Sequence, residues 1–296
     1  MTTVLLATFD LMPDGEPGGA ALPRALGRHG IDARWVRWDD PLVDWSAADL
    51  VAVRSTWDYH RRLESFLSWA RGVEAVTRVL NGADVFAWNA DKAYLLELAG
   101  GPDGAPVPTV PTVPTVTLDD SDLAGGLARA LERWGRVVVK PRTGAGGVGV
   151  VVAESLTDPR LEGLVAGPWI VQPLVESVRS AGESSVYVFD GAPAAQVDKL
   201  PAGDEIRVHE FYGGRSRPVP VDRELGALAV EAVRAAARLP RLRGADLAYA
   251  RVDLMQWEGR WVVSELELIE PGLYLDVEPA NAERFAAVVA DRLRRS

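Results

Sequence analysis

The sequence predicts an α/β protein built from more than one compact unit, and three observations support this prediction. Residues 4–85 alternate strand-like and helix-like patterns in the order of a βαβαβ unit. A proline-rich stretch then interrupts the pattern at residues 100–114. Beyond it, short strands alternate with three amphipathic helices. A chain of 296 residues can bury enough apolar surface for two or three domains with their own cores.

The first unit is predicted to be a small parallel sheet covered by helices, because its strands alternate with helices. Strand-like runs lie at residues 4–9, 33–38 and 49–55, and helical patterns lie at residues 22–29 and 63–69. The next helix is predicted over residues 89–98, with Asn89 or Asp91 near its amino end and Gly100 after its last turn.

The second half is predicted to be richer in strands, with hairpin connections. Strands are predicted at residues 113–118, 136–141, 148–154, 168–175, 184–191 and 194–200, and helices at residues 123–135, 222–238 and 282–293. Residues 250–270 alternate on both sides of Glu258 and Gly259, which is typical of a β-hairpin.

The composition excludes several classes of protein. The chain has no Cys, which excludes disulfides, Cys-ligated zinc, iron–sulfur clusters and thiol nucleophiles. The amino terminus reaches Asp10 after a short apolar run without basic residues, so we expect neither a signal peptide nor a membrane span, and a cytoplasmic protein. A net charge of −10 argues against a nucleic-acid partner, because binding to a phosphate backbone needs a basic surface.

Lysine is rare in this chain. Of the 32 basic residues only Lys92, Lys140 and Lys199 are Lys, and the other 29 are Arg. A composition biased to Arg replaces solvated surface lysines freely, and leaves Lys where a compact ammonium group is needed. The three lysines are therefore candidates for contacts with an anionic ligand, although chance survival of any one of them is the alternative.

A glycine-rich segment at residues 144–149 has the spacing G-x-G-x-x-G. A dinucleotide-binding loop would open a helix at its last glycine, but Val150, Val151 and Val152 favour a strand. Lys140 precedes the glycines, so the segment is not a Walker loop either. A glycine-rich hairpin with a Lys on its incoming strand can fold over a polyphosphate, and a flexible surface hairpin is the alternative.

Three carboxylates are predicted to meet on the carboxy-terminal hairpin. Glu265 and Glu267 are two residues apart on one strand, so they share a face, and hairpin pairing places Asp253 opposite them. Like charges repel unless a cation lies between them, and oxygen-only ligands suit Mg²⁺. The alternative is a solvated acidic strand face.

The order of these motifs resembles the ATP-grasp superfamily, which includes glutathione synthetases and D-alanine:D-alanine ligases. The resemblance covers residues 89–271 and implies an ATP-grasp fold with an N-terminal Rossmann-like pre-ATP-grasp domain, with ATP and Mg²⁺ as cofactors. It implies three domains: a substrate-side unit at 1–88, a small lid unit with the glycine hairpin at 89–171, and a unit with the metal site at 172–296. The ATP-binding residues it implies are Lys92, Lys140, Gly144, Gly146, Gly147, Gln172, Pro173 and Leu174, with Glu183 or Glu176 on the ribose.

The resemblance also implies roles in the reaction. Arg251 corresponds to an arginine that faces the transferred phosphoryl group, and Lys199 and Arg207 lie in a segment that contacts the phosphates. The metal ligands of the family are an Asp and an E-x-N pair. This chain has Glu265-x-Glu267 instead, so its third ligand departs from the family pattern.

The segments RSTWDY at 54–59, WNADK at 88–92 and ELELIEP at 265–271 resemble one branch of the superfamily, which includes cyclo-ligases that form D-cycloserine from O-ureidoserine. The first segment follows a buried-looking strand, where ligands bind in open α/β sheets. Arg54 could pair with a substrate carboxylate and Asp58 with an amine. The substrate residues predicted are Arg54, Ser55, Trp57, Asp58, Tyr59 and Glu270, with ordinary packing as the alternative for the two aromatic residues.

These expectations define an ATP-dependent ligase. A substrate carboxylate is activated as an acyl phosphate, and a nitrogen nucleophile forms an amide or cyclic amide, with release of ADP and phosphate. The alternatives are a phosphotransferase of the same fold and a non-catalytic nucleotide-binding module. We expect a small, amino-acid-like substrate, no nucleic-acid or membrane partner, and leave monomer and homo-oligomer open.

Overall fold

A computed structural model describes residues 2–100, 109–162 and 167–295 and contains three sheets. The first unit contains β1 (Thr2–Thr8), α1 (Ala21–Arg28), β2 (Ile31–Arg37), β3 (Leu50–Ser55), α2 (Leu63–Glu74) and β4 (Arg78–Val79). Its strands are parallel, in the order β2-β1-β3-β4. Every residue of β3 is buried, as expected of a central parallel strand covered on both faces. The predicted βαβαβ unit is therefore confirmed.

Two short helices lead out of the first unit: α3 (Ala83–Asn89) and α4 (Tyr94–Leu98). The predicted helix over residues 89–98 is wrong in its first half, since Asn89 ends α3 and a turn separates it from α4. Tertiary hydrogen bonds explain the break. The Asn89 amide bonds to the backbone of a distant strand, and the Lys92 N–H donates to the Arg142 carbonyl at 2.8 Å.

The second sheet is antiparallel and lies between residues 116 and 173. It contains β5 (Val116–Leu118), α5 (Leu123–Trp134), β6 (Val137–Pro141), β7 (Val151–Ala153) and β8 (Trp169–Pro173). The strand order is β5-β8-β6-β7, and α5 covers one face. The predicted strand over residues 113–118 begins later, at Val116. Of the predicted crossover at residues 100–114, residues 101–108 lie outside the described residues.

The third sheet carries the predicted hairpin at its edge. It contains β9 (Glu183–Phe189), β10 (Ala192–Leu200), β11 (Arg215–Val219), α6 (Arg223–Arg238), β12 (Tyr249–Trp257) and β13 (Arg260–Glu267), and the chain then forms α7 (Ala280–Arg294). The strand order is β11-β10-β9-β12-β13. Asp222 caps α6 through the N–H groups of Glu224 and Leu225. Neither β11 nor α3 is predicted from the sequence pattern.

Two cores join the units. The first lies between the third sheet and α6 and includes Leu95 of α4. The second lies between the first sheet, α1 and α7, and it contains Leu6 and Phe285. The last helix of the chain therefore covers the first sheet. Among the described residues, no helix is long and apolar enough to cross a membrane. The division into domains at residues 88 and 171 stays a prediction.

Candidate active site

The three predicted carboxylates do meet on the β12–β13 hairpin. Asp253 pairs with Glu265 and Arg251 with Glu267 in the strand register. One carboxylate oxygen from each of Asp253, Glu265 and Glu267 lies within 4.8 Å of the others. This oxygen-only set matches the ligand preference of Mg²⁺, so these residues fit a bound magnesium ion.

Each of these carboxylates also faces a cation. The Arg251 guanidinium donates to both oxygens of Asp253, at 3.0 and 2.9 Å, and to Glu267. The Lys92 ammonium is bonded to Glu265. The Lys199 ammonium lies 3.5 Å from Asp253. Three positive groups therefore surround the cluster and offset its negative charge.

The pKa values of the three carboxyl groups differ because their neighbours differ. Burial raises the pKa of Asp253, but Arg251 and Lys199 outweigh burial and hold it below its ordinary value. Burial acts in the same way on Glu265, where Lys92 outweighs it and lowers the pKa. At Glu267, burial outweighs Arg251 and raises the pKa to about 7. Glu267 is therefore the carboxylate least committed to the charged form.

Lys140 differs from the other two lysines. It lies near the end of β6 and forms no ion pair with any described residue, whereas Lys92 and Lys199 both do. Burial lowers the pKa of the Lys140 ammonium, although Glu265 opposes this shift. A buried ammonium without an anionic partner is costly, and a bound anion would relieve that cost.

The turn that carries Lys92 is fixed by residues of all three regions. Asp91 accepts two hydrogen bonds from Arg142, which follows β6. The Asn89 amide donates to the Leu266 carbonyl at 2.8 Å and accepts from the Leu268 N–H at 2.7 Å, on either side of Glu267. The Tyr94 hydroxyl accepts from the Leu266 N–H at 2.9 Å. The sequence analysis did not predict these tethers, because a polar residue on a short helix carries no signal of a partner about 170 positions away.

The predicted adenine-binding residues lie at the end of β8. The Gln172 side chain donates to Thr115 Oγ1 at 2.9 Å, and the Leu174 N–H donates to the Arg136 carbonyl at 3.0 Å. Gln172, Pro173 and Leu174 are buried, so contact with a base would use the backbone rather than the Gln172 amide. Their role stays a prediction.

The two candidates for the ribose have different surroundings. Glu183 is buried, lies 2.5 Å from the Lys199 ammonium, and accepts from Ser264 at 3.2 Å. Burial raises its pKa, and Lys199 opposes that shift. Glu176 is exposed and pairs with Arg136 at 2.5 Å and Arg179 at 2.9 Å. The structure therefore brings Glu183, and not Glu176, to the carboxylate cluster.

The glycine-rich loop faces the segment that contains Arg207. Gly146 and Gly147 have φ of +62° and +71°, a region that favours glycine. A Cβ on Gly147 would lie 3.3 Å from Arg207 and 3.4 Å from Tyr212. Arg207 itself pairs with Glu205 at 2.5 Å and lies 3.5 Å above the centre of the Tyr212 ring. Gly144 lies in the same loop, beside Pro141.

Three of the predicted substrate residues already have protein partners. Arg54 has no exposed surface, donates to the Pro271 carbonyl, and lies over the rings of Tyr249 and Phe285. The Asp58 carboxylate accepts from Trp38 at 2.9 Å and pairs with Arg62, while the Tyr59 ring is buried in the first core. This arrangement favours support of the surrounding loops over direct contact with a substrate.

The other predicted substrate residues lie nearer the cluster. The Trp57 indole is partly exposed and donates to the Glu270 carbonyl at 3.1 Å. Burial raises the pKa of the Glu270 carboxyl well above its usual range, and Glu267 adds to the shift. Ser55 accepts from the backbone N–H of Glu16 at 3.0 Å. Glu16 had no place in the sequence-based prediction, although its position just after β1 is where ligands bind in such sheets.

Comparison with known proteins gives the same overall arrangement. Residues 4–81 match the family described as the N-terminal domain of D-cycloserine synthetase DcsG. The cycloserine biosynthesis protein DcsG of Streptomyces lavendulae is 34% identical over 279 residues, which cover 90% of each chain. A crystal structure of D-cycloserine synthetase DcsG superposes with a TM-score of 0.84 at 30% identity, covering 98% of this chain and 99% of that one.

More distant relatives support the predicted superfamily. A glutathione synthetase of Agrobacterium fabrum is 29% identical over 261 residues, covering 86% of this chain and 74% of that protein. The ATP-grasp ligase PsnB, solved with a precursor variant, Mg and ADP, has a TM-score of 0.63 at 17% identity, covering 99% of this chain and 98% of that one, which shows the fold alone. The α/β ATP-grasp fold predicted from the sequence is confirmed.

Proposed function

Because this chain belongs to the ATP-grasp ligases, in the family of the cycloserine biosynthesis protein DcsG, we propose that it activates a substrate carboxylate as an acyl phosphate and closes a cyclic amide. Its membership makes it a ligase that forms carbon–nitrogen bonds at the expense of ATP. The proposal adds the chemical route and a substrate class: a small amino acid with a nitrogen nucleophile on its side chain, such as O-ureidoserine.

One observation carries the proposal, namely the ring of cations around the oxygen cluster of Asp253, Glu265 and Glu267. Phosphoryl transfer needs positioning and charge neutralisation more than covalent help from the protein. Mg²⁺ held by the three carboxylates would neutralise the phosphate oxygens of ATP. Lys140, which has no partner among the described residues, supplies a further positive charge for those phosphates.

In the first step, the substrate carboxylate attacks the γ-phosphorus of ATP. The bond from that phosphorus to the bridging oxygen breaks, and ADP leaves. Arg251 and Lys199 lie beside the cluster and would offset the charge that develops on the transferred group. In the second step, the nitrogen attacks the acyl carbon, phosphate leaves, and the nitrogen loses a proton.

The glycine loop protects the acyl phosphate from water. Its contact with Arg207 and Tyr212 supports a role as a lid that closes over bound ATP. Ala at Gly146 and Gly147 would resist the positive φ of both residues. Closure of such a lid excludes water that would otherwise hydrolyse the intermediate.

The test is a measurement of ADP release with Mg²⁺, ATP and each enantiomer of O-ureidoserine, with the product identified by mass spectrometry. One ADP released for each cyclic amide formed is the expected result. Hydroxylamine, which traps acyl phosphates as hydroxamates, tests the intermediate separately. A stable phosphorylated product without an amide would favour a phosphotransferase, and ATP binding without ADP release would favour a nucleotide-binding module.

A further inference from the structure

A buried carboxylate outside the metal cluster has no partner for one of its oxygens. Glu16 lies in the loop between β1 and α1 and is only 4% exposed. Its Oε2 accepts from the Leu273 N–H at 2.7 Å. Its Oε1 is buried and has no hydrogen-bond partner among the described residues. Folded proteins rarely leave such a group unsatisfied without a functional reason.

The charge of Glu16 is also not compensated by a direct ion pair. Arg54 and Arg251 are its nearest positive neighbours, but no described ion pair joins either of them to Glu16. Burial raises the pKa of the Glu16 carboxyl to about 7, although Arg54 opposes this shift. The site therefore has room for a further N–H donor of positive charge, which would stabilise the carboxylate.

The space beside this carboxylate is bounded by the residues of two different regions. A Cβ on Gly272 would lie 3.4 Å from the Trp57 ring, 3.8 Å from Glu16 Oε2 and 3.9 Å from Arg251 Nη1. Gly272 is only partly buried, and these are ordinary van der Waals distances. A small group can therefore lie against Gly272, with Glu16 on one side and Arg251 on the other.

We propose that this space binds the primary ammonium group of an amino-acid substrate, with Glu16 as the carboxylate that accepts its hydrogen bonds. An α-amino acid carries its ammonium and carboxylate groups on one carbon. With the ammonium on Glu16, the carboxylate faces Arg251, which also contacts Asp253 and Glu267 of the metal cluster. The inference rests on the proposed function, because it assigns the acceptor side of the same reaction.

The first experiment is a calorimetric titration in the presence of Mg²⁺ and a non-hydrolysable ATP analogue. The probes are O-ureidoserine, as each enantiomer, and the matching compound in which a hydroxyl replaces the amine. Glu16→Gln keeps the size of the side chain and its acceptor for Leu273, but removes the charge. We expect the variant to bind the amine probe about 10- to 100-fold more weakly, because a charge-assisted hydrogen bond is lost. Its affinity for the hydroxyl probe and for the ATP analogue should not change.

The second experiment fills the space instead of changing the charge. Gly272→Ala adds a methyl group that the free protein accommodates, so folding should be preserved. We expect it to lower affinity for the amine probe at least 10-fold with unchanged affinity for the ATP analogue. Gly72→Ala on α2 is the matched control, since a Cβ there meets nothing within 4 Å and the helix favours Ala.

The outcomes separate this inference from the proposed function. Equal affinity of the parent and Glu16→Gln for the amine probe would overturn the site, as would a parent protein that binds neither probe. Equal affinity would also result if Glu16 were protonated and donated to the substrate carboxylate. Binding that depends on Glu16, without ADP release or amide formation, would support the site and contradict the proposed function.

Discussion

At the scale of single residues, the three lysines show what rarity in a sequence can and cannot predict. All three lie around the carboxylate cluster or the adjoining strand β6, as their scarcity suggested. Their pairing was not predictable. Lys92 and Lys199 bond to carboxylates that are far away in the sequence, while Lys140 has no ion pair among the described residues.

The first prediction concerns this difference. Lys140→Met should weaken binding of Mg·ATP about 10- to 100-fold, because one charged contact with phosphate is lost. Its free energy of unfolding should stay the same or rise, because the variant removes a buried charge that has no described partner. Calorimetric titration and denaturant unfolding measure the two quantities. Arg217→Met, at an exposed cation, is the control, and unchanged ATP affinity in Lys140→Met would remove Lys140 from the site.

The second prediction concerns the stability of Glu16→Gln against pH. The carboxyl pKa is about 7 in the folded protein against 4.5 for the free group, so the folded state binds the proton more tightly. The parent therefore loses stability as pH rises from about 4.5 to 7, and the variant does not. Above pH 7.5 the variant should be more stable by up to about 3 kcal/mol, and below pH 4 the two should be equal. Urea unfolding across this range measures the difference, and a difference that does not vary with pH would contradict the assignment.

At the scale of elements, the β12–β13 hairpin determines the site. Its alternation and the Glu258-Gly259 turn made it predictable, and its register sets Asp253 against Glu265. The support of its free edge was not predictable. Asn89 and Tyr94 bond to Leu266 and Leu268 in place of a neighbouring strand, and this support depends on the break between α3 and α4.

The third prediction compares the carboxylates of the hairpin. Asp253→Asn and Glu265→Gln should each lower the rate of ADP release by orders of magnitude, with partial recovery at high Mg²⁺. Glu267→Asn should have the mildest effect and mainly raise the Mg²⁺ requirement, because an amide oxygen also binds Mg²⁺ and Arg251 keeps its pair with Asp253. Initial rates against Mg²⁺ concentration measure this order. If Glu267→Asn is as inactive as Asp253→Asn at every Mg²⁺ concentration, Glu267 has a role other than binding metal.

At the scale of the whole molecule, the fold class and most elements could be predicted because they depend on local patterns. The contacts that build the site could not, because they join distant regions. Lys92 reaches Glu265 across 173 positions, and Glu16 reaches Leu273 across 257. The acceptor space beside Gly272 likewise needs the loop after β1, the Trp57 segment and the chain after β13 together.

The fourth prediction tests the joint between the second and third sheets. Asp91 bonds to Arg142, and the Lys92 N–H bonds to the Arg142 carbonyl, so this joint sets Lys92 relative to Lys140 on β6. Both side chains of the pair are partly exposed, so Asp91→Asn should cost less than about 1 kcal/mol of stability.

The functional effect of Asp91→Asn should be larger than its effect on stability. Looser placement of Lys92 should raise the KM for ATP severalfold and leave the KM for the acceptor unchanged, because the acceptor space lies beside Gly272. Asp122→Asn, which removes an exposed pair with Arg129 on α5, is the matched control and should change neither constant. Steady-state kinetics with each substrate varied in turn measure both constants. An ATP KM equal to that of the control would mean that the two lysines are positioned by the sheets themselves and not by the Asp91–Arg142 joint.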